Sequence, residues 1–557
     1  MKRFLPWNTS MVASLLLMLG LLAIIVIDSN DLDQALKYIG FDEDEIFDSA
    51  EDGLEEYLDE DFDEDDLIED VHLNLIYLSA SVLEEQQMAS WIKNNGRERS
   101  LGVVYSQTNK LKYLDDITEG SANAQVRVKK STYDDRQKSF QIRLYDKAGL
   151  WHDQRVINLD KNRSDPLRIR EKLSYDYLKF IPDTVGLNTQ FARLFMQGSS
   201  RNESDAYIDL GFYTHVEHPN KSFLKRHGLD DKGSLYEVMD FNFDTSLEIQ
   251  TSIEDAYVSY FEKDAVENLE NPSDDKLNDF IKAVHDPDTS PEIWFGIYLD
   301  EDNYFNYLAY NILFDNYEAS TENYMLFSPL NSQRWFLISN DFDKTWGNNK
   351  NRPKWKSGLG MFWDNALHRK ILMDDANLEV LEARVDELSE IINADNTEEI
   401  LEEYYDLLLT NVTSMPDLAY LDITVKDFVE SFNMLPNYTQ VAQEKFYNSL
   451  EHPMPFELYP LAYKDGHYVL SWEPAFDLHE EEVEYKVVIA QDPLLNNIVQ
   501  EVVTEKTEMH LELFNYQRKY YWTVTAINEN GYDQTPMNAY VDDFGDWYDG
   551  IEVISFD

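Results

Sequence analysis

Residues 335–347 read WFLISNDFDKTWG, an apolar run that ends on two carboxylates, Asp341 and Asp343, beside a Thr and a Gly. Side chains two apart share one side of an extended chain, so this pair can face a single hard cation. Upstream, Asp315 to Asn323 (DNYEASTEN) forms a second polar cluster, followed by the apolar-aromatic run YMLF. Two polar clusters set against apolar runs imply two strand ends or turns that converge on one site. Carboxylates arranged for a hard cation imply phosphate chemistry.

Outward from this pair the pattern mixes helices and strands. YFNYLAYNILF, beginning just after Glu301, is a strongly apolar helix that leads straight into the Asp315 cluster. QVRVKKSTYDDRQKSFQIRLYD predicts two alternating strands around a polar connection, and VHLNLIYLSA predicts a first strand near Val71, followed by helix-like LEEQQMASWIKNN. DPLRIREKLSYDYLKFI has helical spacing, with Asp165 as N-cap and Pro166 at the first helical position. AYIDLGFYTHVEH reads as a strand pair or strand and turn, and GSLYEVMDF as a further strand. Residues 376–450 are mostly helical, with LEVLEARVDELSEII the clearest amphipathic segment.

The chain has 557 residues, 43% hydrophobic and 13% aromatic, enough to bury a large core across two or three domains. Its 107 acidic and 47 basic residues leave a net charge of −60. That field repels polyanions, so nucleic acid is not an expected partner. There is no cysteine, which excludes a disulfide, a thiolate nucleophile and a Cys-zinc site.

At the N-terminus, Lys2 and Arg3 precede an apolar run from Met11 to Ile27 that only Ser14 and Gly20 interrupt. Residues 1–27 are read as an uncleaved signal anchor, a membrane helix with its basic end cytoplasmic; a cleaved signal peptide is the rival reading. The expected location is the cell membrane, single-pass, with the bulk of the chain extracytoplasmic. Residues 28–70 hold 21 Asp or Glu against the single Lys37 and read as an acidic spacer. The last hundred residues change character. YVLSWEPAFD, EVEYKVVIAQD, NNIVQEVV, EMHLELF and KYYWTVTAINENG are short alternating strands at regular intervals, the mark of an all-β sandwich over 451–557. Trp472 and Tyr520-Tyr521-Trp522 resemble the immunoglobulin/fibronectin type III pattern.

The blocks between Val126 and Leu372 resemble the CotH kinase family, named for the spore-coat protein H kinases. RVKKSTYDDRQKSFQIRL resembles its Arg-rich strand pair, INLDKNRSDPLRIREKLSYDYL its N-L…D-x-x-x-x-R-x-K-L helix, and DLGFYTHVEHPNKSFLKRHG its G-x-Y-x-x-x-E segment. KGSLYEV is similar to its G-x-L-Y-K strand. FNYLAYNILFDNYEASTENYMLF and WFLISNDFDKTWG resemble its N-x-x-x-D…N-Y-x-L and D-x-D-x-x-x-G blocks. The order of the blocks is the family's own. Glu237 stands where the family has a Lys, Arg143 where a Lys is common, and the usual Gly near Lys130 is missing.

The resemblance implies an α+β chain whose residues 71–450 form an atypical, two-lobed protein-kinase-like domain. It implies transfer of the ATP γ-phosphoryl to Ser or Thr of a surface or envelope protein, with Mg2+ or Mn2+. On the matching positions, Asp341 binds metal and Asp343 and Asn323 assist, while Asp315 orients the acceptor hydroxyl or takes its proton. Lys138 or Arg143 holds the nucleotide phosphates, and Glu217 contacts nucleotide or pairs with a base. Two other readings stay open. One is a catalytically inactive kinase-fold scaffold of the cell envelope. The other is a haloacid dehalogenase-type phosphatase with Asp341 as nucleophile, for which Asp374-Asp375 would serve as the later acidic pair but lacks a preceding apolar strand.

Overall fold

The computed structural model describes residues 71–77, 100–105, 124–129, 136–144, 150–151, 154–197, 208–243, 266–271, 273–348, 352–511, 518–542 and 544–554. The anchor and acidic spacer expected at 1–70, and the helix expected after the first strand, lie outside these residues. Among the described residues no helix is long and apolar enough to cross a membrane.

Seven antiparallel strands form the first sheet: β1 (Val71–Tyr77), β2 (Ser100–Tyr105), β3 (Ala124–Val128), β4 (Phe140–Leu144), β5 (Val156–Asp160), β6 (Thr189–Gln197) and β7 (Ile208–Glu217). Their order is β2-β1-β6-β7-β5-β4-β3, so the strand pair predicted around the polar connection closes one edge. Strand β4 alternates buried and less buried positions, as a strand covered on one face must. The segment AYIDLGFYTHVEH, expected as a strand pair or a strand and turn, holds a single ten-residue strand, β7.

Helix α1 (Arg170–Leu178) crosses under this sheet with all nine of its residues buried. Its start corrects the sequence expectation. Asp165 does accept backbone N–H bonds, from Leu167, Ile169 and Arg170 at 2.9 Å, but the helix begins only at Arg170. Arg168 adopts a left-handed backbone (φ 58°), so the chain makes a further turn between Pro166 and the helix.

A second, four-stranded sheet has the order β11-β10-β8-β9, from β8 (Ser234–Val238), β9 (Val266–Glu270), β10 (Tyr324–Ser328) and β11 (Phe336–Ser339). Helix α2 (Lys221–Arg226) precedes β8, and between β9 and β10 the chain adds α3 (Asp274–His285), α4 (Pro291–Tyr298) and α5 (Glu301–Leu313). Helix α5 is capped by Asp300, which accepts from Asn303 N at 3.2 Å, and is buried from Asn303 to Leu313. It is the central rod of the largest core, with Tyr304, Tyr307 and Tyr310 wholly enclosed. Helices α6 (Ala366–Leu372), α7 (Asp375–Ser389), α8 (Ala394–Val412), α9 (Val425–Met434) and α10 (Asn437–Leu450) complete this helical body. A reciprocal Thr424–Asp427 capping box starts α9.

From Leu458 onward the described elements are all strands. β12 (Leu458–Lys464), β13 (His467–Trp472) and β16 (Glu508–Leu511) form one antiparallel sheet. β14 (Val483–Ala490), β15 (Ile498–Thr504), β17 (Tyr520–Asn528), β18 (Asp533–Gln534) and β21 (Glu552–Ile554) form the other, and β19 (Ala539–Val541) pairs with β20 (Trp547–Asp549) as a separate ribbon. Trp472 and Trp522 meet in the core the two sheets share, with ring centroids 6.2 Å apart. This region sits directly on the helical body. Trp363 stacks on Phe476 at 5.8 Å, and Arg369 pairs with Glu473 at 3.1 Å.

Candidate active site

The residues after β5 and those after β11 are stitched together, and the carboxylates lie along that seam. Strand β5 ends at Asp160, as β11 is followed by Asn340 and Asp341; each apolar strand therefore delivers an acid at its C-terminal end. From the first segment, the Ser164 hydroxyl donates to Asp343 Oδ2 at 2.5 Å. From the second, Asn348 donates to the Ser164 carbonyl at 3.1 Å and to the Asp343 carbonyl at 2.6 Å. Arg170 reaches the Trp346 carbonyl at 3.2 Å, and the Trp346 indole N–H donates to Ser174 at 2.8 Å. Gly347 (φ 77°) closes the motif where Tyr438 of α10 lies flat against the chain; a Cβ there would fall 2.2 Å from the ring.

Asp341 is half-buried, and its Oδ1 accepts the backbone N–H of Asp343 at 2.9 Å. Its pKa is raised well above the ordinary carboxylate range, first by burial and then by Asp343, Asp160 and Glu318. Glu171, on the first turn of α1, is buried and also pushed well up, by burial and then by Asp341 and Asp160. Asn162 donates to its Oε2 at 2.5 Å. The cation of the seam is Lys129, just beyond β3, whose Nζ lies 2.6 Å from Asp160. Burial opposes its charge, but Asp160, Glu171 and Asp341 together outweigh burial and hold its pKa above the usual lysine value.

The second predicted cluster lies on the adjoining loop. Phe314 and Phe342 meet edge to face at 5.7 Å, and Trp346 N donates to the Phe314 carbonyl at 2.8 Å. Asp315 (φ 56°) is 4% exposed, with Arg352 at 2.6 Å on one oxygen and Lys445 at 2.7 Å on the other. Asn323 (φ 60°) donates through its side-chain amide to Glu318 Oε2 at 2.9 Å. Burial, Asp343 and Glu322 raise the Glu318 carboxyl to about 7.

The structure thus brings Asp341 and Asp343 together, with Asn323 linked to the cluster through Glu318 and Asp315 on the neighbouring turn. Lys138 is buried on the β3–β4 connection, while Arg143 is exposed in mid-strand, opposite Gln125 and Val156. Glu217 is fully buried at the far end of the β5–β7 ladder, where it opposes Ile157, three residues before Asp160. Its carboxylate binds Arg226, His227 at 2.9 Å and the Asn188 amide at 2.8 Å. Glu237, at the family's Lys position, accepts from the Asn340 amide. Sequence reasoning passed over Asp160, Glu171, Glu318 and Lys129. The signal for Asp160 was present: INLD repeats the apolar-strand-then-acid pattern of LISND.

This donor set suits a hard divalent ion. The oxygens are carboxylates in mutual repulsion, and the buried Tyr175 hydroxyl makes no hydrogen bond, although its pKa is raised by burial and then by Glu171, Asp341 and Asp160. Among the described residues no group of three or more His, Cys, Asp or Glu is placed to hold a metal ion. Mg2+ shared with nucleotide phosphates and water needs only one or two carboxylates.

A family model described as CotH kinase protein matches residues 126–442, more than half of the chain. The inner spore coat protein H of Bacillus subtilis (strain 168) is 29% identical over 223 residues, which is 38% of this chain and 56% of that protein. The chain therefore spans little more than half the length of this curated relative.

Proposed function

This chain belongs to the CotH kinase protein family, and from that premise we propose that it transfers the ATP γ-phosphoryl to a Ser or Thr hydroxyl of a surface or envelope protein. The observation that carries the proposal is the seam itself. Asp341, Asp343, Asp160 and Glu171 act on one another beside one half-buried lysine, Lys129, in a body whose family is a kinase family.

Bound Mg2+ or Mn2+ would neutralise the nucleotide phosphates and the charge that develops during transfer. Asp341 and Asp343 offer the hard oxygens for that ion, with Asn323 as a further amide ligand. Lys129 is the cation we assign to the phosphates, ahead of Lys138 and Arg143, because its charge acts on Asp160, Glu171 and Asp341 together. Glu171 stands to Lys129 as an orienting acid. Asp315, held in one orientation by Arg352 and Lys445, positions the acceptor hydroxyl. Attachment to a membrane through Met11–Ile27, export of the remainder and a fibronectin III-like role for the C-terminal sheets as a spacer belong to the same proposal.

The test is transfer of label from γ-labelled ATP, with Mg2+ or Mn2+, by the chain lacking residues 1–27. Asp341→Ala and Lys129→Met should each lower transfer on the order of 10³-fold or more. Absence of transfer from the unaltered chain under both metals would replace the kinase with an inactive scaffold. Phosphate release from a monoester, with Asp341 trapped covalently, would replace it with a phosphatase.

A further inference from the structure

Every carboxylate and amide that the first sheet sends to the seam comes from one short stretch, 160–171, which carries Asp160, Asn162, Ser164 and Glu171. This stretch includes two left-handed residues, Asn162 (φ 46°) and Arg168 (φ 58°), so its own backbone preference does not fix its path. A buried charge network does. Asp417, from the turn after α8, is 1% exposed and lies 256 positions beyond Lys161. Its Oδ1 meets Lys161 Nζ at 2.8 Å and the Gln137 amide at 3.4 Å, and its Oδ2 accepts the Phe212 N–H at 2.7 Å. Lys161 Nζ also donates to the Leu210 carbonyl at 2.8 Å and lies 4.2 Å from the Tyr213 ring. Arg168 returns to the same cluster, donating to Gln137 at 3.2 Å and to the Lys161 carbonyl at 2.5 Å. Lys161 and Arg168 bracket the turn that holds Asn162 and Ser164. Gly211 (φ 87°) leaves the space for this contact, since a Cβ there would lie 1.9 Å from Asp417 Oδ2.

We infer that Asp417 is a positioning residue: from the helical body it locks the Lys161–Arg168 turn and so sets where Asp160, Ser164 and Glu171 stand in the seam. Arg193 strengthens the same junction, bonding Asn411 at 2.6 Å and the Met415 carbonyl at 3.3 Å. The inference rests on the kinase reading for its effect on turnover, but not for its effect on the turn. Truncating Asp417 would leave Lys161, which is 2% exposed, with neither counter-charge nor acceptor there, so Asp417→Asn is the variant of choice: it loses the charge but keeps the shape and one acceptor oxygen.

The test sets Asp417→Asn and Gly211→Ala beside Val385→Ala, a core change in α7 chosen for a comparable loss of thermal stability. Hydrogen–deuterium exchange of 160–171 should rise in the first two and stay at the wild-type level in the third. The Mg2+ concentration for half-maximal ATP turnover should rise about tenfold or more in the first two, the size expected when an outer support of a metal site is lost. Unchanged exchange of 160–171 in Asp417→Asn, or equal effects in Val385→Ala, would overturn the positioning role. If the unaltered chain turns over no ATP, the kinase reading falls, and the exchange experiment still decides the role of Asp417.

Discussion

Asp315 and Asp341 end two consecutive blocks of the same body, and their surroundings are electrically opposite. Asp315 is enclosed between Arg352 and Lys445, one cation for each oxygen. Asp341 faces Asp343, Asp160 and Glu318, and the lysine that answers this group, Lys129, sits against Asp160. A buried carboxylate with one cation on each oxygen carries its own counter-charge. A carboxylate among carboxylates does not, and its raised pKa measures the mismatch. The first pocket carries its own counter-charges, whereas the second holds more acid than its one lysine offsets.

That contrast can be broken most directly by paired substitutions in metal-free buffer. Asp315→Ala leaves Arg352, 8% exposed, without its counter-charge and should lower unfolding stability by about 3–5 kcal/mol. Asp341→Asn removes repulsion and should leave stability unchanged or raise it. Denaturant titration of both variants checks the pair, and equal losses would erase the distinction.

Next in size is a pH effect. Glu318 titrates near 7 in the folded chain and at its ordinary value of about 4.5 when unfolded. Between these values the folded chain keeps a proton that the unfolded chain has released, so this group makes stability fall as pH rises from about 4.5 to about 7. Glu318→Gln should flatten that slope in metal-free thermal melts, making the variant the more stable chain above pH 7. An unchanged slope would mean that Glu318 does not belong to the repelling group.

The smallest effect concerns Lys344, which lies 3.5 Å from Asp343, with both side chains part-exposed. Lys344→Ala should cost no more than about 0.5 kcal/mol in melts, because exposed pairs contribute little. The same variant should bind Mg2+ slightly more tightly, since a competing positive charge has gone.

Much of this was legible before any coordinates. The apolar spacing of 301–313 gave its helix, the alternation around 124–144 gave two strands, and the D-x-D block marked the acids after β11. Other features depend on distant contacts. Helix α1 carries Arg170, Glu171, Lys172 and Asp176, charges that suggest an exposed face, yet all are buried. Lys172 and Asp176 pair at 2.9 Å, and Tyr404 of α8 bonds Asp176 at 2.7 Å. Only those partners, more than two hundred residues away in the case of Tyr404, make such a helix tolerable inside. Choosing Lys129 over Lys138 likewise required the strand register, because only the fold reveals which lysine lies beside Asp160. Asp165 is not the N-cap, which is Ile169, but the left-handed turn at Arg168 lets its side chain accept from the N–H of Arg170, where the helix starts.

The contact between Gly347 and Tyr438 sets a limit on how the chain can be divided. The blocks read from the sequence end near Leu372, although the family match runs to residue 442, and a fragment cut at Leu372 would keep every residue of the D-x-D-x-x-x-G motif. It would lose Tyr438, against which that glycine turns, and Lys445, which completes the Asp315 pocket. The smallest portable unit of this site therefore extends through α10 to Leu450, well beyond the motifs by which it is recognised.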